Sequence, residues 1–112
     1  MILYQNVLAH SEASKIAEHY KIDTKTLFNN ISYCSGDSFA LKNHGLKSIA
    51  LDNFPNPAFS VKYAQKDLSY ALEMAVQMGL STPGSTTINN LFNKAIEKGL
   101  GDLYFPVIKK IL

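Results

Sequence analysis

Val61, Ala64, Leu68, Ala71, Leu72, Ala75 and Val76 recur every three or four positions, the period of an α-helix with one buried face. Gly79 follows as a helix stop able to take the left-handed conformation. The pattern returns at Ile88, Leu91, Phe92, Ala95 and Ile96, entered through a Ser81 or Thr82 cap and Pro83 and left at Gly99. Ile2, Val7, Ala9, Ala13, Ile16, Ala17 and Tyr20 also have helical spacing, with apolar residues on nearly all sides early on, which predicts a helix buried by other helices. Because no capping residue precedes it, that helix is expected to start upstream of Met1.

Shorter elements lie between. Asp23 is a fitting cap for a second helix that turns Leu27 and Ile31 inward. Ser35 or Asp37 is expected to cap a short helix holding Phe39 and Leu41, with Gly45 closing it in left-handed geometry. Pro55 and Pro57 break any helix in "LDNFPNPAF", so this stretch reads as a loop. A final short helix is expected in "GDLYFPVIKKIL", with Lys109 and Lys110 near its negative end. With no β alternation, the prediction is an all-α domain spanning residues 1–112, five to seven helices around one core.

Composition narrows the function classes. At 112 residues, 46% hydrophobic and 18% charged, the chain is one globular domain. A net charge of +2 from scattered lysines offers no nucleic-acid or anionic-membrane footprint. The one cysteine, Cys34, cannot pair internally; it reads as an inert, partly buried thiol, and with the absence of a leader-like segment it predicts a cytoplasmic protein.

Little catalytic chemistry is visible. His10, His19 and His44 lack the i, i+4 spacing that presents two metal ligands on one helical face, so no metal is expected. There is no GxGxxG or P-loop, so a nucleotide would have to be held largely by another domain. Ala17, Ile22 and Leu27 fit the packing positions of a helix-turn-helix, but the second helix offers only Lys25, Asn29 and Asn30 to DNA, and two packed helices are the simpler reading. Lys62, Lys66, Ser69, Glu73 and Gln77 line up opposite the apolar stripe as an ordinary solvated face would, yet Lys62 and Lys66 are like charges one turn apart and call for an acidic partner or an anion.

In order along the chain, "SEA" at Ser11–Ala13, the Ser35–Gly36 pair, "NFPNPAF", and Phe59 followed by Lys66, Asp67 and Leu68 strongly resemble the C-terminal helical domain of the β-hydroxyacid dehydrogenases. That group includes 3-hydroxyisobutyrate dehydrogenase, and the fold is similar to the C-terminal domain of the 6-phosphogluconate and 3-hydroxyisobutyrate dehydrogenases. The resemblance implies an NAD(P)-dependent oxidoreductase transferring hydride between a β-hydroxyacid, or its semialdehyde, and the cofactor. By the same resemblance Lys66 binds cofactor across an interdomain cleft, Phe59 and Asp67 shape the substrate pocket, and the domain contributes to a dimer.

The family's catalytic lysine and its N-terminal Rossmann domain match nothing in residues 1–112. The expectations are therefore no catalytic residue in this chain, NAD or NADP only with a Rossmann partner, inactivity alone, and a homo-oligomer or a separate Rossmann-domain chain as partner. The alternative from another class is a non-enzymatic helical interaction or helix-turn-helix protein.

Overall fold

A computed structural model describes residues 1–112 and contains four α-helices: α1 (Ile2–His19), α2 (Thr24–Ile31), α3 (Val61–Gln77) and α4 (Pro83–Glu97). Three short helical turns complete it, a π turn at Leu41–Gly45 and 3₁₀ turns at Ile49–Leu51 and Phe105–Ile111. No strand forms; a single antiparallel bridge joins Ser60 to Tyr104.

Local signals explain most boundaries. Asp23 accepts from the Thr26 backbone N–H at 2.7 Å and so starts α2. Ser60 caps α3 in the same way, its hydroxyl accepting from the Tyr63 N–H. At the far ends, Gly79 and Gly99 have φ +66° and +76°, and the residue after each donates back to a carbonyl of the last turn: Leu80 to Ala75 and Leu100 to Ala95. The end of α1 uses the same closure with Lys21 at φ +58°, where Ile22 donates to Ala17.

Four local expectations are corrected. Ser38 rather than Ser35 or Asp37 caps the short helix, accepting from Leu41 N–H at 3.0 Å. Gly45 is not left-handed; it lies buried in the π turn, where a Cβ would meet the Phe28 ring at 3.3 Å. Thr82 precedes α4 without a side-chain cap, leaving Pro83 to preset the first turn. Cys34 is exposed, because it lies in the turn after α2 with its thiol directed back to the Asn30 carbonyl.

The core sits where α1, α3 and α4 converge on the C-terminal 3₁₀ turn. Val7, Leu68, Ile88, Phe92, Val107 and Ile108 are fully buried there. Their removal from water is the main favourable term, of order 1.5–3 kcal/mol for each large side chain. α1 presents only one stripe to this core, Tyr4, Val7, Ser11, Ser14 and Ala17, while Ile2, Ile16 and Tyr20 stay exposed. The expected all-round burial is therefore not reached within the chain. In α2 the fully buried residue is Phe28, with Leu27 and Ile31 half-buried beside it, and of the next pair Leu41 goes in while Phe39 is 72% exposed.

Candidate functional site

The loop ahead of α3 is pinned to the segment ahead of the C-terminal turn. Tyr104 N–H donates to the Pro55 carbonyl, Phe105 N–H to Phe59, and Val61 N–H to Leu103, each at 3.0–3.1 Å. This pairing holds Phe59 at the surface edge of the core. Its ring meets Phe105 edge-on at 6.1 Å and stacks on Tyr63 at 6.3 Å. Phe105 in turn meets Tyr4 of α1 edge-on at 5.3 Å. Tyr4, Phe105 and Phe59 thus form a continuous aromatic floor, and such edge contacts add about 0.5–1.5 kcal/mol each beyond area burial.

Lys66 and Asp67 follow on α3. Both lie one turn beyond Tyr63, the ring stacked on Phe59, so helical spacing makes them its neighbours. Lys62 and Lys66 have different fates. Lys62 Nζ pairs with Asp102 at 2.8 Å, which supplies the acidic partner that the like-charge spacing demanded. Lys66 makes no ion pair within the chain, and its side chain is exposed.

Asp67 is exposed as well, and its charge is felt by Tyr4. Burial, and secondarily the Asp67 carboxylate, push the Tyr4 hydroxyl's pKa up. The phenol therefore stays protonated, and the residue itself is buried in the core. Lys66, Asp67 and Phe59 are all exposed, and Asp67 is linked to the Tyr4–Phe105–Phe59 cluster through its effect on Tyr4. Sequence periodicity did not single out Tyr4 or Phe105; a count of aromatic residues near the chain ends was the available signal, and it carried no address.

Beside this floor, the Tyr104 hydroxyl is hydrogen-bonded to His44 Nδ1. Burial, with Lys47 adding a smaller repulsion, holds the His44 pKa down, and burial raises that of Tyr104. The pair is neutral near pH 7 and braces the π turn against the C-terminal segment.

Two surface depressions exist. One, of about 400 Å³, is a groove along α3 bounded by Ser69, Leu72, Glu73, Val76 and Gln77. The other, of about 480 Å³, lies between α1 and the 35–38 loop. Neither includes Lys66, Asp67 or Phe59, which stand on an open face. No three His, Cys, Asp or Glu side chains gather closely enough to hold a metal ion, and no helix is long and apolar enough to cross a membrane.

The helix-turn-helix reading loses a packing residue here. Ala17 is buried and Leu27 half-buried, but Ile22 is 49% exposed and cannot serve as core between two such helices.

The fold is that of solved 3-hydroxyisobutyrate dehydrogenases. A structure of the Salmonella typhimurium enzyme superposes with TM-score 0.87 at 22% identity, over 99% of this chain and 38% of that one. The Mycobacterium tuberculosis enzyme, solved with L-serine, gives 0.84 at 22% identity over 99% and 40%. Glyoxylate/succinic semialdehyde reductase 1 of Arabidopsis thaliana is 31% identical over 108 residues, 96% of this chain and 37% of the relative. The chain thus spans about two fifths of the length of the proteins it matches. Residues 1–110 match the family described as "NAD-binding of NADP-dependent 3-hydroxyisobutyrate dehydrogenase", and the chain, an all-α domain, belongs to that family.

Proposed function

We propose that this chain is the helical portion of an NAD(P)-dependent dehydrogenase that interconverts a β-hydroxyacid and its semialdehyde, with no turnover of its own. The observation that carries the reading is an exposed cation with no ion pair inside the chain, Lys66, next on α3 to a carboxylate, Asp67, whose charge is felt by Tyr4 of the Tyr4–Phe105–Phe59 cluster. An exposed ammonium without an internal partner suits the phosphate groups of a dinucleotide, and the apolar floor suits the carbon skeleton of a small acid.

When bound, NAD(P) supplies the hydride acceptor or donor. The chain's own residues bind and orient: Lys66 attracts anionic groups, Phe59 excludes water from one wall, and Asp67 opposes misplaced anions at the substrate end. Closure by a nucleotide-binding domain would lower the local dielectric and strengthen each of these contacts. Nothing in residues 1–112 is assigned the proton transfer.

Two further parts of the reading concern context. The face of α3 and its exit expose Tyr63, Tyr70, Met74, Val76, Met78 and Leu80, a patch that supports assembly with a second subunit or a nucleotide-binding domain. An exposed single thiol at Cys34 fits a reducing cytoplasm.

The test is a chimera in which this chain replaces the homologous part of the Arabidopsis reductase. The folded chimera is expected to oxidise NADPH with succinic semialdehyde, and Lys66→Ala to raise the KM for NADPH about tenfold or more, the size of a lost charged hydrogen bond. The isolated chain is expected to show no turnover with either cofactor. A folded chimera that neither binds nor oxidises NADPH, or turnover by the chain alone, overturns the proposal.

A further inference from the structure

Phe59 stands in a loop, and no backbone hydrogen bond joins residues 54–59 to one another. Its carbonyl accepts from the Phe105 N–H at 3.1 Å, and its ring, 43% exposed, rests on Phe105 and Tyr63. The rest of the loop is tied to the same strip. Pro55 accepts from the Tyr104 N–H, Ser60 forms the antiparallel bridge to Tyr104, and the Val61 N–H donates to Leu103. The place of Phe59 is therefore set by the place of residues 103–105.

That strip is held in turn from the side. The Tyr104 hydroxyl is hydrogen-bonded to His44 Nδ1, 60 residues away along the chain. His44 is 9% exposed, and its ring lies 5.2 Å from Phe105 and 5.8 Å from Tyr104. It belongs to the π turn, where Leu41 and Gly45 are also buried and a Cβ on Gly45 would meet Leu41 and the Phe28 ring at 3.3 Å, so the acceptor stands on a closely packed support.

Chemistry fixes the direction of the bond. Burial keeps both partners neutral near pH 7, so the phenol O–H donates, Nδ1 accepts, and the imidazole proton sits on Nε2. The neighbouring side-chain link, Lys62 to Asp102, is exposed at both ends and worth little. Of the two, the imidazole–phenol bond is the stronger anchor.

We infer that His44 and Tyr104 are positioning residues for the substrate-facing wall: their hydrogen bond anchors residues 103–105 and, through them, sets the place of the Phe59 ring. The inference rests on the reading of Phe59 as part of that wall. Neither His44 nor Tyr104 is assigned any contact with the substrate.

The test has one arm without turnover and one with it. Tyr104→Phe removes the hydroxyl and keeps the ring, and His44→Leu removes the acceptor. In the isolated chain the ring-proton resonances of Phe59 report its place directly, because Tyr63 and Phe105 shift them through their ring currents. In both variants those resonances are expected to move toward the values of an unstructured phenylalanine. In the Arabidopsis chimera both variants are expected to raise the KM for succinic semialdehyde about fivefold, the loss of one hydrogen bond, and to change the KM for NADPH less than about twofold. His44→Asn, whose amide oxygen takes the place of Nδ1, is expected to recover most of the loss seen in His44→Leu. Phe59 resonances that stay in place in both variants, an equal rise in the two KM values, or no recovery in His44→Asn overturns the inference. A parent chimera without turnover overturns the proposed function instead, and the Phe59 resonances of the chain still decide the anchor.

Discussion

Lys109 Nζ lies 2.6 Å from the Glu18 carboxylate although the lysine side chain is only 8% exposed. The same ammonium donates to the Ile49 carbonyl at 3.2 Å and stands 4.0 Å from Asp52, which pairs in turn with Lys110. The end of α1, the Ile49 turn and the C-terminus are thereby joined through one buried cation. Dipole complementarity at the end of the last helix, the role expected from sequence, is secondary to this clamp.

Removing one partner strands the other. Glu18→Gln leaves a buried ammonium with weaker compensation and is expected to cost about 1–3 kcal/mol, less than the roughly 3–5 kcal/mol for breaking a fully buried pair because Glu18 is itself 43% exposed. Lys109→Met, which removes the charge and keeps the volume, is expected to cost less. Urea denaturation midpoints of the two variants decide the order; a larger loss in Lys109→Met would contradict the clamp.

Stability is expected to fall on mild acidification. His10 and His44 both have pKa values lowered from 6.5 by burial, so the unfolded chain binds more protons than the folded one below that pH. Their contribution is complete above about pH 6.5 and is lost as pH falls toward the depressed folded values. Glu18, whose pKa is lowered chiefly by its hydrogen bond from Lys109, adds a second loss below its ordinary 4.5. Thermal melts at pH 8, 6.5 and 5.5 check this: a melting temperature that rises on acidification would refute it, and His44→Gln is expected to flatten the upper part of the profile.

Two glycines separate packing from backbone strain. At Gly45 an added methyl would press on the Phe28 ring and Leu41 at 3.3 Å, so Gly45→Ala is expected to destabilise by about 1–3 kcal/mol through overpacking. At Gly79 the space is open but φ is +66°, so Gly79→Ala costs about 1 kcal/mol from left-handed backbone alone. Gly79→Asn, which tolerates that conformation, is expected to recover part of the loss, whereas Gly45→Asn is expected to be worse than Gly45→Ala. Chemical denaturation of the four variants provides the comparison.

Lys66 gives the opposite signature. Exposed and without an ion pair, it is expected to leave folding stability within about 0.5 kcal/mol when replaced by alanine. A melt of Lys66→Ala that drops by many degrees would assign the lysine to structure rather than to ligand binding.

What the sequence by itself determined is local. Asp23, Gly79 and Gly99 set helix ends because each acts on backbone groups within a few residues of itself, and the 3.6-residue stripes of α3 and α4 state which face turns inward, except at Val76, which the α3 stripe included and which is 77% exposed. The ordered family resemblance singled out Phe59, Lys66 and Asp67 as site residues; helical periodicity had marked only Lys66 among them, as part of a solvated face. Only tertiary structure decided that Phe28 rather than Leu27 fills the core, that Phe39 faces out, that Lys62 is spoken for by Asp102 while Lys66 is free, and that Lys109 is buried. The two lysine outcomes depend on partners 40 and 91 residues away, and a side chain's environment is fixed by what packs against it in space, which spacing along the chain does not encode.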